Sequence, residues 1–364
     1  MRIAQIPPLY ESIPPKLYGG TERVVSYLTE ELVKQGHEVT LFGTKDSVTS
    51  ANLYTVCDQA MRLNPGCRDA LAWHVYQLQL VMENASEFDI IHFHNDYLHF
   101  PLSSQDHYRH ITTLHGRLDL EDLKPIYEKF YHMPVVSISN NQRKPLSHIN
   151  WINTVYHGLP EDMYHRGDGK GNYLAFLGRI SPEKRPDRAI EIAKRTGIPL
   201  RIAAKVDRAD EEYFEEKIKP LLDHPLIKFI GEIGDDHKEE FLGNALALLF
   251  PIDWPEPFGM VMIEALATGT PVIAFNHGSV PEIIENGKTG FIVNTLEQAV
   301  EAVEKIYLLD RSVCRNVFEN SFTAAVMAGN YVTLYEHICR KEGKIFHLQS
   351  PPNWSPKEKY ASYD

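Results

Sequence analysis

The chain has 364 residues, 43% hydrophobic and 24% charged, with a formal net charge of −12. That length favours two domains of roughly 100–200 residues each, and the acidic balance argues against a nucleic-acid partner and, more weakly, a docked anionic membrane. Neither half is basic, with 13 Lys and Arg against 19 Asp and Glu in residues 1–165 and 24 against 30 in the remainder, so an anionic substrate has to be held by a few local positive groups.

In chain order, residues 2–6 are an apolar strand. A proline-rich loop then ends at Gly19-Gly20, Thr21 is expected to cap a helix over 22–35, and Gly36 stops it. Val24, Val25, Leu28, Leu32 and Val33 recur at helical spacing on one side of that helix. Further strands are predicted at 39–42, 89–93, 111–114, 135–138 and 153–156, with helical stretches between them. A polar stretch with Gly167, Gly169 and Gly171 follows at 165–172, and is read as an interdomain linker or a long surface loop. The alternation restarts with strands at 173–177, 200–203, 227–230, 247–250, 272–274 and 290–293. Helices are predicted at 186–195, 210–222, 238–244, 259–268, 296–308 and 312–339, and a proline-bearing extension begins near 341. Strands alternating with helices indicate parallel sheets built from βαβ units.

No apolar run approaches the ~18 residues of a membrane span, and the first strand breaks at Pro7, too soon for a secretory leader. The four cysteines (Cys57, Cys67, Cys314, Cys339) form no CxxC pair, so neither a zinc site nor a disulfide framework is indicated and a reducing cytoplasm is the simplest setting.

Three junctions carry candidate chemistry. In Trp254-Pro255-Glu256-Pro257-Phe258-Gly259-Met260-Val261-Met262-Ile263-Glu264, two carboxylates stand eight positions apart across a loop-to-helix junction. The Met260 and Val261 N–H groups lack intrahelical acceptors and suit an anion or sugar oxygen. Glu264 suits a pair of ribose hydroxyls and Glu256 those of a second sugar, although solvated helix-end glutamates satisfy the same spacing. In Gly178-Arg179-Ile180-Ser181-Pro182-Glu183-Lys184-Arg185, three cations share one strand-to-helix loop and together neutralise a diphosphate, unless Glu183 pairs with one of them in an ordinary surface loop. Gly19-Gly20 allows close backbone approach to a phosphate, or simply a tight turn; no GxGxxG or GxxxxGK[ST] occurs. His92 and His94 share one face of a strand but lack a third metal ligand, and His115 follows the next strand, placed for a sugar or for a local backbone partner.

Three blocks in order, "PPKLYGGTERVVSYLTEELVKQGHEVTLF", "FLGRISPEKRPDRAIEIAK" and residues 229–293 around "WPEPFGMVMIEA", resemble the family 4 glycosyltransferases of the GT-B fold. The resemblance runs from Arg2 to about Tyr335. It implies an α/β architecture of two Rossmann-like domains whose parallel sheets face each other across a cleft: an acceptor domain over 1–164, a linker over 165–172 and a donor domain over 173–324. A final helix over about 325–340 returns to the first domain, and 341–364 form a C-terminal extension. The implied activity is retaining transfer from a UDP-, GDP- or ADP-sugar to an acceptor hydroxyl, with no obligatory metal or other cofactor. Carried over by position, Glu256 binds the donor sugar, Glu264 the ribose, and Arg179 and Lys184 the departing diphosphate. Gly19 and Gly20 close over the phosphates, and His115 lies near the donor sugar. Glu282 matches a recurrent position without a derivable role, and Arg185 stands where the family usually has glycine. The base, sugar, acceptor and oligomeric state are not legible. The competing readings are an epimerase or phosphorylase-like reaction on the same scaffold, and a non-catalytic nucleotide-sugar sensor.

Overall fold

The computed structural model describes residues 1–16, 19–105 and 108–340; the predicted extension from 341 lies outside them. Two all-parallel sheets organise the chain. The first contains β1 (Arg2–Ile6), β2 (Glu38–Thr44), β3 (Asn52–Cys57), β4 (Ile90–Phe93), β5 (His110–Thr113), β6 (Val135–Ser137) and β7 (Trp151–Thr154), in the order β3-β2-β1-β4-β5-β6-β7. The second contains β8 (Leu174–Ile180), β9 (Leu200–Val206), β10 (Ile227–Gly231), β11 (Ala247–Phe250), β12 (Val272–Phe275) and β13 (Gly290–Val293), in the order β10-β9-β8-β11-β12-β13. Strand order reverses between β1 and β4 and between β8 and β11. Open parallel sheets leave a crevice at such switch points, outside the carboxyl ends of the strands.

The strands are apolar runs because both faces are covered. Ala4, Ile6, Ile91 and Phe93 pack on one side of the first sheet, with Val81 of helix Ala70–Glu83. Ile3 and Ile90 pack on the other, with Val24, Leu28 and Leu32 of helix Gly20–Lys34. Among the described residues, no helix is long and apolar enough to cross a membrane.

Four sequence expectations are corrected. Thr21 is not the cap of the first helix: the helix begins at Gly20, and the Gly19 carbonyl accepts the Arg23 N–H at 3.1 Å. A side chain at 19 would put its Cβ 2.8 Å from Pro15 Cβ, whereas one at Gly20 would meet open space. Strand β3 was not anticipated, because it is a half-exposed edge without clean alternation. The stretch 210–222 is a short helical turn, a π-turn over Phe214–Ile218 and a 3-10 turn over Lys219–Leu221. Pro220 has no N–H to close an α-helical turn.

The predicted helix 312–339 is two helices, Arg311–Ser321 and Ala324–Arg340. The break is made from far away in sequence. Leu159 donates to the Phe322 carbonyl at 2.9 Å and accepts from the Ala324 N–H at 2.7 Å. Beyond it, Met327, Tyr331, Leu334 and Tyr335 join the core of Ile3, Val24, Leu28 and Leu32. Burying each such side chain is worth about 1.5–3 kcal/mol, so the last helix is anchored on the first sheet. Residues 165–172 are tied to the second sheet's layer: the Gly167, Gly169 and Gly171 N–H groups donate to the carbonyls of Thr268, Gly243 and Asn244.

Candidate functional site

The carboxyl end of β8 carries Arg179 on the strand itself, and Lys184 ends the 3-10 turn Pro182–Lys184 that follows. The carboxyl end of β11 runs into the loop that carries Glu256, and helix Met260–Ala267 follows. These neighbouring strands bring Lys184 and Glu256 together, 72 positions apart in sequence, as an ion pair. Trp254 Nε1–H also donates to Glu256 Oε2 at 3.1 Å, and the Lys184 ammonium lies 5.3 Å from the Trp254 ring centre and 5.7 Å from that of Phe250. A cation over aromatic faces is favoured by the ring quadrupole.

Arg179 is ringed by carboxylates: it pairs with Glu183, and lies 3.6 Å from Asp207 and 3.5 Å from Asp210. Burial pushes the Asp210 carboxyl up, against the pull of Arg179. The local cations that an acidic chain needs for an anion are therefore present, and internal acids balance them.

Arg185 turns elsewhere. It holds a left-handed backbone (φ 52°) and donates to Asp187 and Asp253, whose carboxylates raise it above the usual arginine range.

The loop bearing Glu256 is fixed by a second loop. The Ser279 N–H donates to the Glu256 carbonyl at 3.0 Å, and its hydroxyl donates to the Phe258 carbonyl at 2.6 Å. Gly278 (φ 58°) makes the approach possible, since a Cβ there would stand 2.3 Å from the Glu256 backbone nitrogen and carbonyl oxygen. Gly278→Ala is expected to cost about 2–4 kcal/mol of stability, from a disfavoured backbone plus overpacking. Urea unfolding that leaves the variant within about 0.5 kcal/mol of wild type contradicts this packing.

Glu264 lies in the second turn of helix Met260–Ala267 and is 3% exposed. Lys238 donates to its Oε1 at 2.8 Å, while its Oε2 is buried without a hydrogen-bond partner among the described residues. Lys238 also pairs with Asp235 at 3.0 Å, and Asp235 pairs with Arg23 of the first helix. Burial pulls the Lys238 ammonium down, but Glu264 and Asp235 raise it on balance. This chain of charges crosses between the two halves through Arg23, in the first turn of helix Gly20–Lys34. Gly259 begins helix Met260–Ala267 with φ 81°, and Met262 N–H finds the Gly259 carbonyl at 3.0 Å. The Met260 and Val261 N–H groups precede it, at the helix start where no intrahelical acceptor exists.

His115 follows β5 on the opposite wall. Its ring stacks on His157 (centroids 5.2 Å, 18°), and His157 meets Phe258 of the Glu256 loop at 4.9 Å. Burial holds the His115 imidazole down at about 3. His92 and His94 do share a face, with ring centroids 3.9 Å apart, and each bonds to side chains of other elements. Among the described residues no three His, Cys, Asp or Glu groups are set to hold a metal ion. Glu282 is spent on the first half: it accepts from the N–H groups of Asn140 and Asn141 at 2.7 and 2.8 Å, and from the Tyr156 hydroxyl at 3.0 Å. A cavity of about 190 Å³ opens beside this seam, lined by Arg117, Asn141 and Lys144 on one side and Pro255 and Pro257 on the other.

The structure thus draws Lys184, Glu256 and Arg179 to adjacent strand ends, links Glu264 through Lys238 and Asp235 to Arg23 of the helix that Gly19 and Gly20 open, and sets His115 across the seam. Arg185 and Glu282 are committed to other contacts. Lys238, Asp235, Arg23 and Gly278 escaped the sequence reading. Only the i,i+3 spacing of Asp235 and Lys238 hinted at a pair.

Residues 164–321 match the family described as Glycosyl transferases group 1, and residues 18–151 match Glycosyltransferase Family 4. An uncharacterised glycosyltransferase of Methanocaldococcus jannaschii is 24% identical over 344 residues, covering 80% of this chain and 85% of that protein. Among solved structures, the sucrose-phosphate synthase of Thermosynechococcus elongatus aligns with a TM-score of 0.75 at 17% identity, over 93% of this chain and 99% of its own. HepE of Anabaena, in complex with UDP and glucose, aligns with a TM-score of 0.68 at 16% identity, over 93% of this chain and 100% of its own. At these identities the structural likeness is one of fold, and that fold is GT-B.

Proposed function

We propose, since this chain belongs to the family 4 glycosyltransferases, that it moves a glycosyl group from a nucleotide-sugar donor to an acceptor hydroxyl with retention of anomeric configuration. The observation that carries the donor assignment is the divided Glu264 carboxylate. One oxygen is tied to Lys238, and the other is buried with no hydrogen-bond partner among the described residues. An unsatisfied buried acceptor of this kind costs about 1–3 kcal/mol. Hydroxyl donors on a ribose relieve that cost, and this favours nucleotide binding beside helix Met260–Ala267.

In this reading the nucleotide lies against the second sheet, with the Met260 and Val261 N–H groups and the Gly19-Gly20 turn toward its phosphates. Arg179 and Lys184 exchange their carboxylate partners for diphosphate oxygens. The bond from anomeric carbon to phosphate oxygen breaks, and negative charge grows on the leaving diphosphate. Preorganised cations at that point act where charge develops. Glu256, released from Lys184, takes sugar hydroxyls, and the acceptor enters from the cavity of Arg117, Asn141 and Lys144. The departing phosphate is the base for the acceptor proton on the same face of the sugar. We place the acceptor domain at 1–164, the linker at 165–172, the donor domain at 173–324 and the returning helix from about 325.

Glu264→Ala is expected to weaken binding of the cognate nucleotide about 10- to 100-fold, the equivalent of roughly 1.5–3 kcal/mol for hydrogen bonds to a charged group. Calorimetric titration with UDP, GDP and ADP measures this. Equal affinity in wild type and variant removes Glu264 from the donor site.

A further inference from the structure

His94 and His115 meet through one hydrogen bond whose direction can be deduced. His94 Nε2 lies 2.7 Å from Gln5 Oε1, and His94 Nδ1 lies 2.9 Å from His115 Nε2. The Gln5 amide is set with its Nε2 donating to the Tyr335 hydroxyl at 3.4 Å and its oxygen toward His94. That hydroxyl lies 2.7 Å from His92 Nδ1, and His92 Nε2 lies 2.7 Å from Thr113 Oγ1. An amide oxygen only accepts, so His94 Nε2 carries the hydrogen. Burial keeps these rings neutral, and a neutral imidazole with hydrogen on Nε2 has a bare Nδ1. His115 must therefore donate from Nε2 to His94, which leaves His115 Nδ1 as an acceptor. That atom is buried and has no hydrogen-bond partner among the described residues. The His157 ring that stacks on His115 reaches Phe258, so the His115 ring lies at the seam between the two halves.

We propose that Gln5 and His94 are positioning residues that lock His115 in the Nε2–H tautomer, so that its Nδ1 accepts a hydrogen bond from a substrate hydroxyl. This rests on the reading of His115 as part of the sugar site. It specifies the chemistry of the group bound there, which must donate a hydrogen bond, as a sugar O–H does. An ether, a deoxy position or a carbonyl offers no hydrogen and leaves the nitrogen unsatisfied. A site that requires a donated hydrogen bond rejects the analogue lacking it far better than an apolar pocket rejects an extra group.

The test is long-range ¹H–¹⁵N spectroscopy of the full chain labelled at histidine, with His115 assigned by substitution. The expected wild-type spectrum has a protonated Nε2 and a pyridine-like Nδ1 for His115. A protonated His115 Nδ1 overturns the proposal, and the wild-type spectrum alone decides this even where a variant fails to fold. In Gln5→Leu the His115 tautomers are expected to mix. Transfer from the full donor is expected to fall about tenfold, with no change for the deoxy donor that lacks the contacted hydroxyl. An unchanged tautomer in Gln5→Leu removes Gln5 from the role. An inactive wild type with the expected spectrum refutes the transferase reading and leaves the relay standing.

Discussion

Lys184→Ala is expected to lower the turnover of glycosyl transfer about 100- to 1,000-fold, which corresponds to the loss of one well-aimed group that stabilises developing charge. Lys184 is held at the carboxyl end of β8 by its own 3-10 turn, and that turn is pinned by the bond from Asp253 N–H to the Glu183 carbonyl at 2.9 Å. Its ammonium sits over two aromatic faces and pairs with Glu256. Donor affinity should change far less than turnover, because in this account Glu264 and the Met260 and Val261 N–H groups hold the nucleotide. Removing the lysine leaves Glu256 with the Trp254 indole as a donor, so the loop is not stripped of partners. Lys184→Arg keeps the charge but replaces a point charge by a planar fork, and should recover only part of the rate. Steady-state kinetics with separate kcat and KM decide the matter. Wild-type turnover in Lys184→Ala removes this residue from the chemistry.

Acid is expected to unfold this protein within one to two pH units below 6.5. Burial lowers nine histidines from their ordinary value of 6.5, His37, His74 and His132 among them, and shifts six strongly: His92, His94, His99 and His157 well below it, His110 to about 4 and His115 to about 3. A histidine whose folded value is depressed takes its proton only after unfolding. Its stability contribution is therefore present above 6.5 and lost as pH falls below it. Each such group costs about 1.4 kcal/mol per pH unit once the pH is well under 6.5. Six together cost on the order of 8 kcal/mol per unit, against a native stability of roughly 5–15 kcal/mol. Asp96 works in the opposite sense: burial pushes its carboxyl up to about 6, against the His115 backbone N–H that pulls it down. It regains stability as pH falls from 6 toward 3.8, and offsets only one of the six. Urea midpoints at pH 7.5, 6.5, 6.0 and 5.5 test this. A midpoint that does not move from 7.5 to 5.5 contradicts the neutral buried relay.

Much of the fold was legible because parallel strands buried on both faces are apolar runs. β11 and β13 fall where their composition puts them, at Ala247–Phe250 and Gly290–Val293. Edge strand β3 was not legible, since a half-exposed strand with Asn52, Tyr54 and Thr55 has no distinctive period. The break at Phe322–Thr323 was not legible either, because its cause is the backbone of Leu159. The same limit applies to the site. Loop chemistry marked Glu256, Glu264, Arg179 and Lys184 as candidates. It did not reveal that Lys184 and Glu256 pair, that Lys238 takes half of Glu264, or that Gly278 supports the Glu256 backbone. Those partners are brought in from other strand ends by the sheet order. The period of a strand put His92 and His94 on one face. Only the structure supplied Gln5 and Tyr335, and so turned an incomplete metal motif into a hydrogen-bonded relay.

The central claim, retaining transfer from a nucleotide sugar, is tested most directly by NMR of the reaction with UDP-, GDP- and ADP-sugars and simple sugar or water acceptors. One donor is expected to release its nucleoside diphosphate in step with a product of the same anomeric configuration. An inverted product, or intact donors throughout with no nucleotide bound, contradicts it.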